Sequence, residues 1–198
     1  MKEWLKNAVF YEIYPQSFYD TNGDGIGDFD GIIEKLEYIK SLGTTVIYLS
    51  PIFKSPSNHK YDTSDYMAVD GFFGGDRALS LLIKEAEKYG IGILLDGVFN
   101  HTGDDSIYFN KYGRYNSVGA YQSQKSPYYS WYKFINHPDN YHSWWGISIL
   151  PEVIEESEGF LDFITGENGI ARKWLRSGVR GWRLDVADEL PDSFLDKL

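Results

Sequence analysis

The sequence predicts an α/β fold built on a parallel sheet, and three observations predict it. Short β-branched and aromatic runs alternate with stretches whose apolar residues recur at helical spacing, and this strand-helix unit occurs four times in order. Polar residues gather just after the C-terminal ends of strands two, three and four, which is where both doubly wound sheets and closed barrels place their function. Neither G-x-G-x-x-G after a strand nor G-x-x-x-x-G-K occurs, which removes support from a dinucleotide-binding or phosphate-cradling sheet.

Taken in order, Val9 to Pro15 (VFYEIYP) reads as the first strand, ended by its proline. After a polar loop, Ile32, Ile33, Leu36, Ile39 and Leu42 fall at helical spacing and predict one helix of about three turns, stopped by Gly43. Thr45 to Leu49 is a buried-type second strand, and Leu79, Leu82, Ile83, Ala86 and Tyr89 predict the next helix. Ile91 to Val98 is the third strand. A long aromatic, Ser- and Asn-rich stretch without clear periodicity then fills Asn100 to Glu158, Phe160 to Leu175 has helical spacing, and Trp182 to Val186 reads as a fourth strand.

A chain of 198 residues can bury a sizeable core and fits one domain with room for an excursion. Sixteen Tyr and six Trp suit a surface that stacks on flat faces or sugar rings. A net charge of -10 argues against nucleic acid as a partner. Without Cys there is no disulfide framework or thiolate chemistry. The first residues lack the apolar core of a signal peptide and no run approaches a membrane span, so a soluble, untargeted and cytoplasmic chain is the expectation.

Three stretches carry candidate chemistry. In Gly178 to Glu189, Arg183 and Asp185 lie two apart on a strand and share a face, with Gly181 leaving room beside them. A fixed cation beside a carboxylate keeps it ionised, as a nucleophile requires, although a structural ion pair at a strand end has the same appearance. In Asp96 to His101 (DGVFNH), Asp96, Val98 and Asn100 share a face and His101 turns into the loop, either as a catalytic pair or as a satisfied hydrogen-bond network. Asp20 to Asp28 (DTNGDGIGD) offers oxygen ligands at alternate positions. It lacks the acidic twelfth residue of an EF-hand, where Gly31 stands, and reads either as a single calcium loop or as an Asx-rich turn with Asp28 or Asp30 capping a helix.

Asp96 to His101, Gly181 to Asp185, Gly43 to Pro51 (GTTVIYLSP) and Leu150-Pro151-Glu152 resemble, in order and spacing, signature segments of glycoside hydrolase family 13, the α-amylase family. The resemblance covers nearly the whole chain. It implies a (β/α)8 TIM barrel, of which about the first four βα units are present, with a subdomain inserted after the third strand. The implied parts are 1–99 for strands one to three, 100–158 for the inserted subdomain and 159–198 for the continued barrel. Asn58 to Thr63, Ser126 to Tyr132 and Trp144 to Ile147 are most similar to the cyclomaltodextrinase, neopullulanase and maltogenic amylase branch. Members of that branch usually carry a domain before the barrel, whereas this chain opens at the first strand.

Carried over by resemblance, Asp185 is the nucleophile and Arg183 its positioning partner, His101 contacts the reacting sugar, Tyr61 and Asp62 are the stacking platform and hydroxyl acceptor of that subsite, and Asp96 and Asn100 support it. Ordinary loop packing is the lesser alternative for Tyr61, given the aromatic platform it offers beside an Asp. Glu189 is expected on the acceptor side. The Asp188-Glu189 pair departs from the Lys-His pair of starch-liquefying members and favours smaller or different glucans. Trp144 and Trp145 either stack on glucose rings or fill the subdomain's core. Asp20, Asn22, Asp24, the Ile26 carbonyl and Asp28 match a structural calcium site.

The implied reaction is retaining hydrolysis of α-1,4 bonds, with α-1,6 bonds left open, in maltodextrins, cyclodextrins or pullulan, and it needs two carboxyl groups about 5 to 5.5 Å apart. The family's acid follows the fifth strand, beyond Leu198, so the chain alone is expected to be inactive. The alternative is an inactive half barrel or a non-catalytic glycan-binding protein on the same fold. Exposed strand edges make self-association a further expectation.

Overall fold

A computed structural model of the chain describes residues 3–198. In chain order the elements are α1 (Glu3–Lys6), β1 (Phe10–Ile13), α2 (Phe29–Glu34), α3 (Leu36–Ser41), β2 (Val46–Leu49), β3 (Phe53–Lys54), β4 (Asp65–Val69), α4 (Gly75–Lys88) and β5 (Gly92–Gly97). After these come β6 (Phe134–Asn136), β7 (Asn140–Tyr141), α5 (Glu158–Thr165), α6 (Ile170–Arg176), β8 (Gly181–Leu184) and α7 (Asp192–Lys197). The chain gathers into two compact units, one formed by 1–52, 68–96 and 175–183 and the other by 53–67, 97–174 and 184–198.

The first unit holds the predicted sheet. Its strands run in the order β1-β2-β5-β8, with β1 parallel to β2 and β2 parallel to β5. β5 is buried at every position, as a central strand covered on both faces must be, and its unalternating sequence GILLDG reflects that. The helices close over apolar stripes: Leu79, Leu82 and Ala86 of α4 are buried at intervals of three and four, and α4 packs against α2, whose Ile32 is also buried. Burying such a side chain stabilises the fold by about 1.5–3 kcal/mol.

The helix expected from Ile32 to Leu42 is instead two. Asp28 accepts a hydrogen bond from the Gly31 amide at 2.7 Å and so starts α2 at Phe29, and Lys35, at φ -103 and ψ 3, leaves helical geometry between α2 and α3. Likewise Phe160 to Leu175 divides into α5 and α6, because Gly166 adopts extended backbone at φ -61 and ψ 171.

The second unit is cored by rings rather than aliphatic side chains. Tyr108, Trp131 and Phe163 meet pairwise at centroid distances of 5.3, 5.3 and 5.0 Å, and Tyr66 stacks on Tyr108 at 5.7 Å. Offset and edge-on ring contacts of this kind add to plain area burial. The stretch without periodicity therefore folds around aromatic packing, with the small β6-β7 pair and the short 3-10 turns Tyr129–Trp131 and Trp144–Gly146 as its regular structure.

Tyr66 is fully buried and its hydroxyl is shared between the carbonyls of Val98, at 2.6 Å, and His101, at 2.9 Å. That fixes the turn the chain makes on leaving β5. A second tie is antiparallel: Thr102 and Asp104 donate to the carbonyls of Pro151 and Ile149 at 3.1 and 2.9 Å, and Val153 donates to that of Asn100 at 3.1 Å. Tyr66→Phe keeps the ring contacts and strips a buried donor from two carbonyls. Urea unfolding of that variant should show a loss of about 1–3 kcal/mol, and an unchanged midpoint would mean that the clasp contributes nothing.

Candidate active site

β5 and β8 are neighbours in the sheet, and Asp96 and Arg183 lie near their C-terminal ends. Arg183 Nη1 donates to both carboxylate oxygens of Asp96 at 3.2 Å, and the Asp96 side chain is fully buried. Tyr48 of β2 donates its hydroxyl to the same carboxylate and sets its ring 5.7 Å from the Arg183 guanidinium. A buried carboxylate needs such partners, since its desolvation would otherwise cost more than the fold can absorb. Tyr48 was missed from sequence. Its signal was a hydroxylated ring inside an otherwise aliphatic strand, VIYL.

In the second unit the chain turns just beyond β8. Asp185 donates its amide to the Gly97 carbonyl at 3.0 Å, and Val186 then adopts φ 46. A β-branched residue at positive φ is strained by about 1–3 kcal/mol. The strain ends the strand so that Asp185, only 8% exposed, borders a pocket of about 450 Å³. Its other walls are His59, Tyr61, His101, Trp144, Ile147, Ile149, Leu150 and Val186. Four aromatic or imidazole walls, four aliphatic ones and a lone carboxylate make a site of the size that small ligands occupy.

The predicted residues divide accordingly. Tyr61, His101, Trp144 and Asp185 come together in this pocket. His59, Ile147, Ile149, Leu150 and Val186 join them without having been singled out. Asp62 does not line it: buried beside the pocket loop, it accepts from Ser55 Oγ at 2.6 Å and from Ser57 Oγ, which fixes the turn that presents Tyr61. Gly103 lets that loop come close, because a Cβ there would stand 2.6 Å from the Asp62 carbonyl, and its amide donates to Thr63 at 2.9 Å. Asn100, Trp144, Trp145 and Glu189 share a smaller pocket of about 90 Å³ with Glu152 and Glu155. Trp145 is 77% exposed, so it fills no core.

His101 Nε2 stands 3.2 Å from the Tyr61 carbonyl. A carbonyl only accepts, so Nε2 carries the proton, and Nδ1 of the neutral ring is left as a buried acceptor with no partner. Burial pushes the imidazole from its ordinary 6.5 down to about 4, against the opposing pull of Asp185. Both amide atoms of buried Asn100 also lack partners. Burial, with Glu152 and Glu156 adding repulsion, pushes the Glu155 carboxyl up to about 7.

In the first unit, Asp20 to Asp28 forms a run of Asx turns. Asp20 Oδ1 accepts from the amides of Asn22 and Gly23 at 3.1 and 2.7 Å, and Oδ2 accepts from Gly25 at 2.8 Å. Asn22 and Asp24 receive the amides of Asp24 and Ile26 at 2.9 and 2.8 Å, and Asp28 holds Thr21 and Gly31. These amides draw the Asp20 carboxyl below its ordinary range. The donors are hard oxygens of the kind calcium takes, but among the described residues no three acidic or imidazole side chains converge on one point. Among them, too, no helix is long and apolar enough to cross a membrane.

Comparison with known proteins places the chain in a family. The α-amylase catalytic-domain family matches residues 12–161. The chain is 41% identical over 256 aligned positions to an amylopullulanase of Thermoanaerobacterium thermosulfurigenes, covering 97% of this chain and 14% of that protein. It is 34% identical to neopullulanase 2 of Thermoactinomyces vulgaris, covering 97% of this chain and 36% of the relative. Among solved structures, a debranching enzyme from Nostoc punctiforme superposes with a TM-score of 0.85 at 33% identity, over 98% of this chain and 45% of its own. The chain thus spans less than half of the proteins it matches, and its four parallel strands correspond to about half of their barrel. With a matched domain that takes in most of its length, the chain belongs to the α-amylase family of catalytic domains, glycoside hydrolase family 13.

Proposed function

We propose that this chain carries the nucleophile half of an α-glucan-active retaining glycoside hydrolase acting on α-1,4 and α-1,6 bonds. The observation that supports it is the Asp185 carboxylate at the edge of a pocket walled by Tyr61, His101 and Trp144. Aromatic faces suit the apolar face of a glucose ring. His101 Nδ1, a bare buried acceptor, suits a sugar hydroxyl. Asp185 attacks the anomeric carbon and displaces the leaving oxygen, and Arg183, paired with Asp96, is positioned two residues before it. Amylopullulanase and neopullulanase 2 are the relatives whose names carry this substrate class.

Retention needs a second carboxyl to protonate the leaving oxygen and later to deprotonate water. Among the described residues Asp185 is the one carboxylate lining this pocket. Glu155, the group best able to hold a proton near neutrality, lines the smaller one. The 198 residues by themselves therefore bind glucan without turning it over. Incubated with maltoheptaose, the chain should bind saturably, about tenfold more weakly after Tyr61→Ala, and release no new reducing ends. New reducing ends that vanish in Asp185→Asn would overturn the inactivity and show that a second carboxyl reaches the site. Absence of saturable binding would sink the glucan reading.

Two conditions bear on the site's stability. His101 is neutral in the folded chain down to about pH 4 and takes its proton at 6.5 when unfolded. The unfolded state thus binds more protons in that window, so stability rises with pH through it and is lost as pH falls from 6.5 toward 4, at up to about 1.4 kcal/mol per unit. His101→Asn should flatten that slope in urea titrations run at successive pH values; an unaltered slope would assign it to other groups.

We propose that Asp20, Asn22, Asp24, the Ile26 carbonyl and Asp28 take up a structural calcium ion, which supplies no catalytic step. Calcium added to an EDTA-treated sample should raise the melting temperature by roughly 5 °C, and an unmoved transition would leave the loop as a self-contained turn.

A further inference from the structure

Glu189 was expected to meet the sugar on the acceptor side, but its carboxylate is already engaged. Oε2 accepts from Trp144 Nε1 and Oε1 from Trp145 Nε1, both at 2.9 Å. The two indoles stack, with centroids 5.1 Å apart and planes at 19°. Neighbouring residues do not ordinarily turn their side chains the same way. Here they do because Trp145 takes the left-handed backbone, φ 51 and ψ 26, inside the short turn Trp144–Gly146. A non-glycine residue held there costs about 1–3 kcal/mol unless its surroundings enforce it.

Core burial does not enforce it, since Trp145 is 77% exposed. The turn's own backbone bonds hold it in part, Gly146 and Ile147 donating to the carbonyls of Ser143 and Trp144 at 3.0 Å; what fixes the rings is the stack and the carboxylate, in which two charge-assisted bonds from rigid rings converge on a single anion. The pair thus immobilised is no remote ornament: Trp144 lines the Asp185 pocket, and its ring stands 5.3 Å from that of His101.

Resting on the glucan reading above, we propose that Glu189 is a positioning residue for substrate. It fixes the Trp144-Trp145 stack as a rigid wall of the Asp185 pocket, and it governs glucan affinity through the indoles rather than by touching the sugar. Preorganised aromatic walls bind more tightly because less freedom is lost on association. The carboxylate is the element that makes this wall preorganised.

The test combines maltoheptaose titrations with the indole N–H signals of the free protein in heteronuclear NMR. In the wild type, two indole protons should be hydrogen-bonded and slow to exchange. Glu189→Ala should release both, and Glu189→Gln, whose amide group presents a donor to one indole, should release one. Melting curves would show that each variant is folded. Glu189→Ala should weaken maltoheptaose binding about tenfold and Glu189→Gln about threefold, but in a Trp144→Ala/Trp145→Ala background Glu189→Ala should cost nothing more. An additive loss in that background would overturn the inference in favour of direct sugar contact by Glu189. Indole signals indifferent to Glu189 would overturn it outright. Wild-type protein that fails to bind maltoheptaose would sink the glucan reading and the affinity claim together, while the indole signals still decide whether Glu189 holds the pair.

Discussion

The second unit depends on one hydroxyl. Tyr66 leaves β4 buried among rings, receives on its backbone the Tyr108 hydroxyl as acceptor at 3.1 Å and the Trp174 indole as donor at 3.0 Å, and spends its own hydroxyl on the carbonyls of Val98 and His101. Every group on that residue is engaged. A buried carbonyl left without a donor costs more than a paired one gains. The turn after β5 therefore has one favourable arrangement, and in it Asn100 and His101 occupy fixed places.

From that constraint the pocket follows by short steps. With the His101 carbonyl clasped, its ring is left to meet the Tyr61 carbonyl through Nε2, which ties the Tyr61 loop to the same turn. The antiparallel bonds from 102–104 to 149–151 then bring Ile147, Ile149, Leu150 and Trp144 to the opposite side. The walls come from four separate stretches of sequence, joined by backbone hydrogen bonds rather than by regular sheet. That explains how a segment with almost no periodicity can present a defined cavity.

This is also where the sequence stops being legible. Strand and helix positions in the parallel sheet were readable because periodicity and glycine stops are local signals: Gly43 does end the helical stretch at positive φ, and β5 is the apolar run it looked like. The division of one helix into α2 and α3 was not, because the apolar spacing runs on across Lys35, whose departure from helical backbone at φ -103 and ψ 3 has no local signal. Asp185, Arg183 and His101 were singled out by strand spacing and by resemblance, and Tyr61 by resemblance alone. Ile147, Ile149 and Val186 were not, since an apolar residue in a loop carries no mark of which cavity it will face. Asp62 illustrates a different failure, for a carboxylate next to a platform tyrosine looks like a ligand contact, and its seryl partners at 55 and 57 come from a turn that only the folded loop shows.

What separates a functional pocket from a packing defect is that its costs are specific and adjacent. Around the pocket three non-glycine residues stand at positive φ, Val186 in its wall and Lys60 and Trp145 next to its Tyr61 and Trp144, and an imidazole acceptor, His101 Nδ1, is buried without a partner. Asn100, one residue before His101, adds a buried amide whose two polar atoms are also unpaired. Each is destabilising alone: glycine would relieve the backbone at the positive-φ positions, and an apolar side chain would be cheaper at His101 and Asn100. Natural cores satisfy almost all of their buried polar groups. Such penalties gathered around one carboxylate therefore mark a surface shaped for something other than its own stability. The fold can carry them because the aromatic core beneath, in which Tyr108, Trp131 and Phe163 lock around Tyr66, leaves the turn no alternative conformation into which the strain could relax.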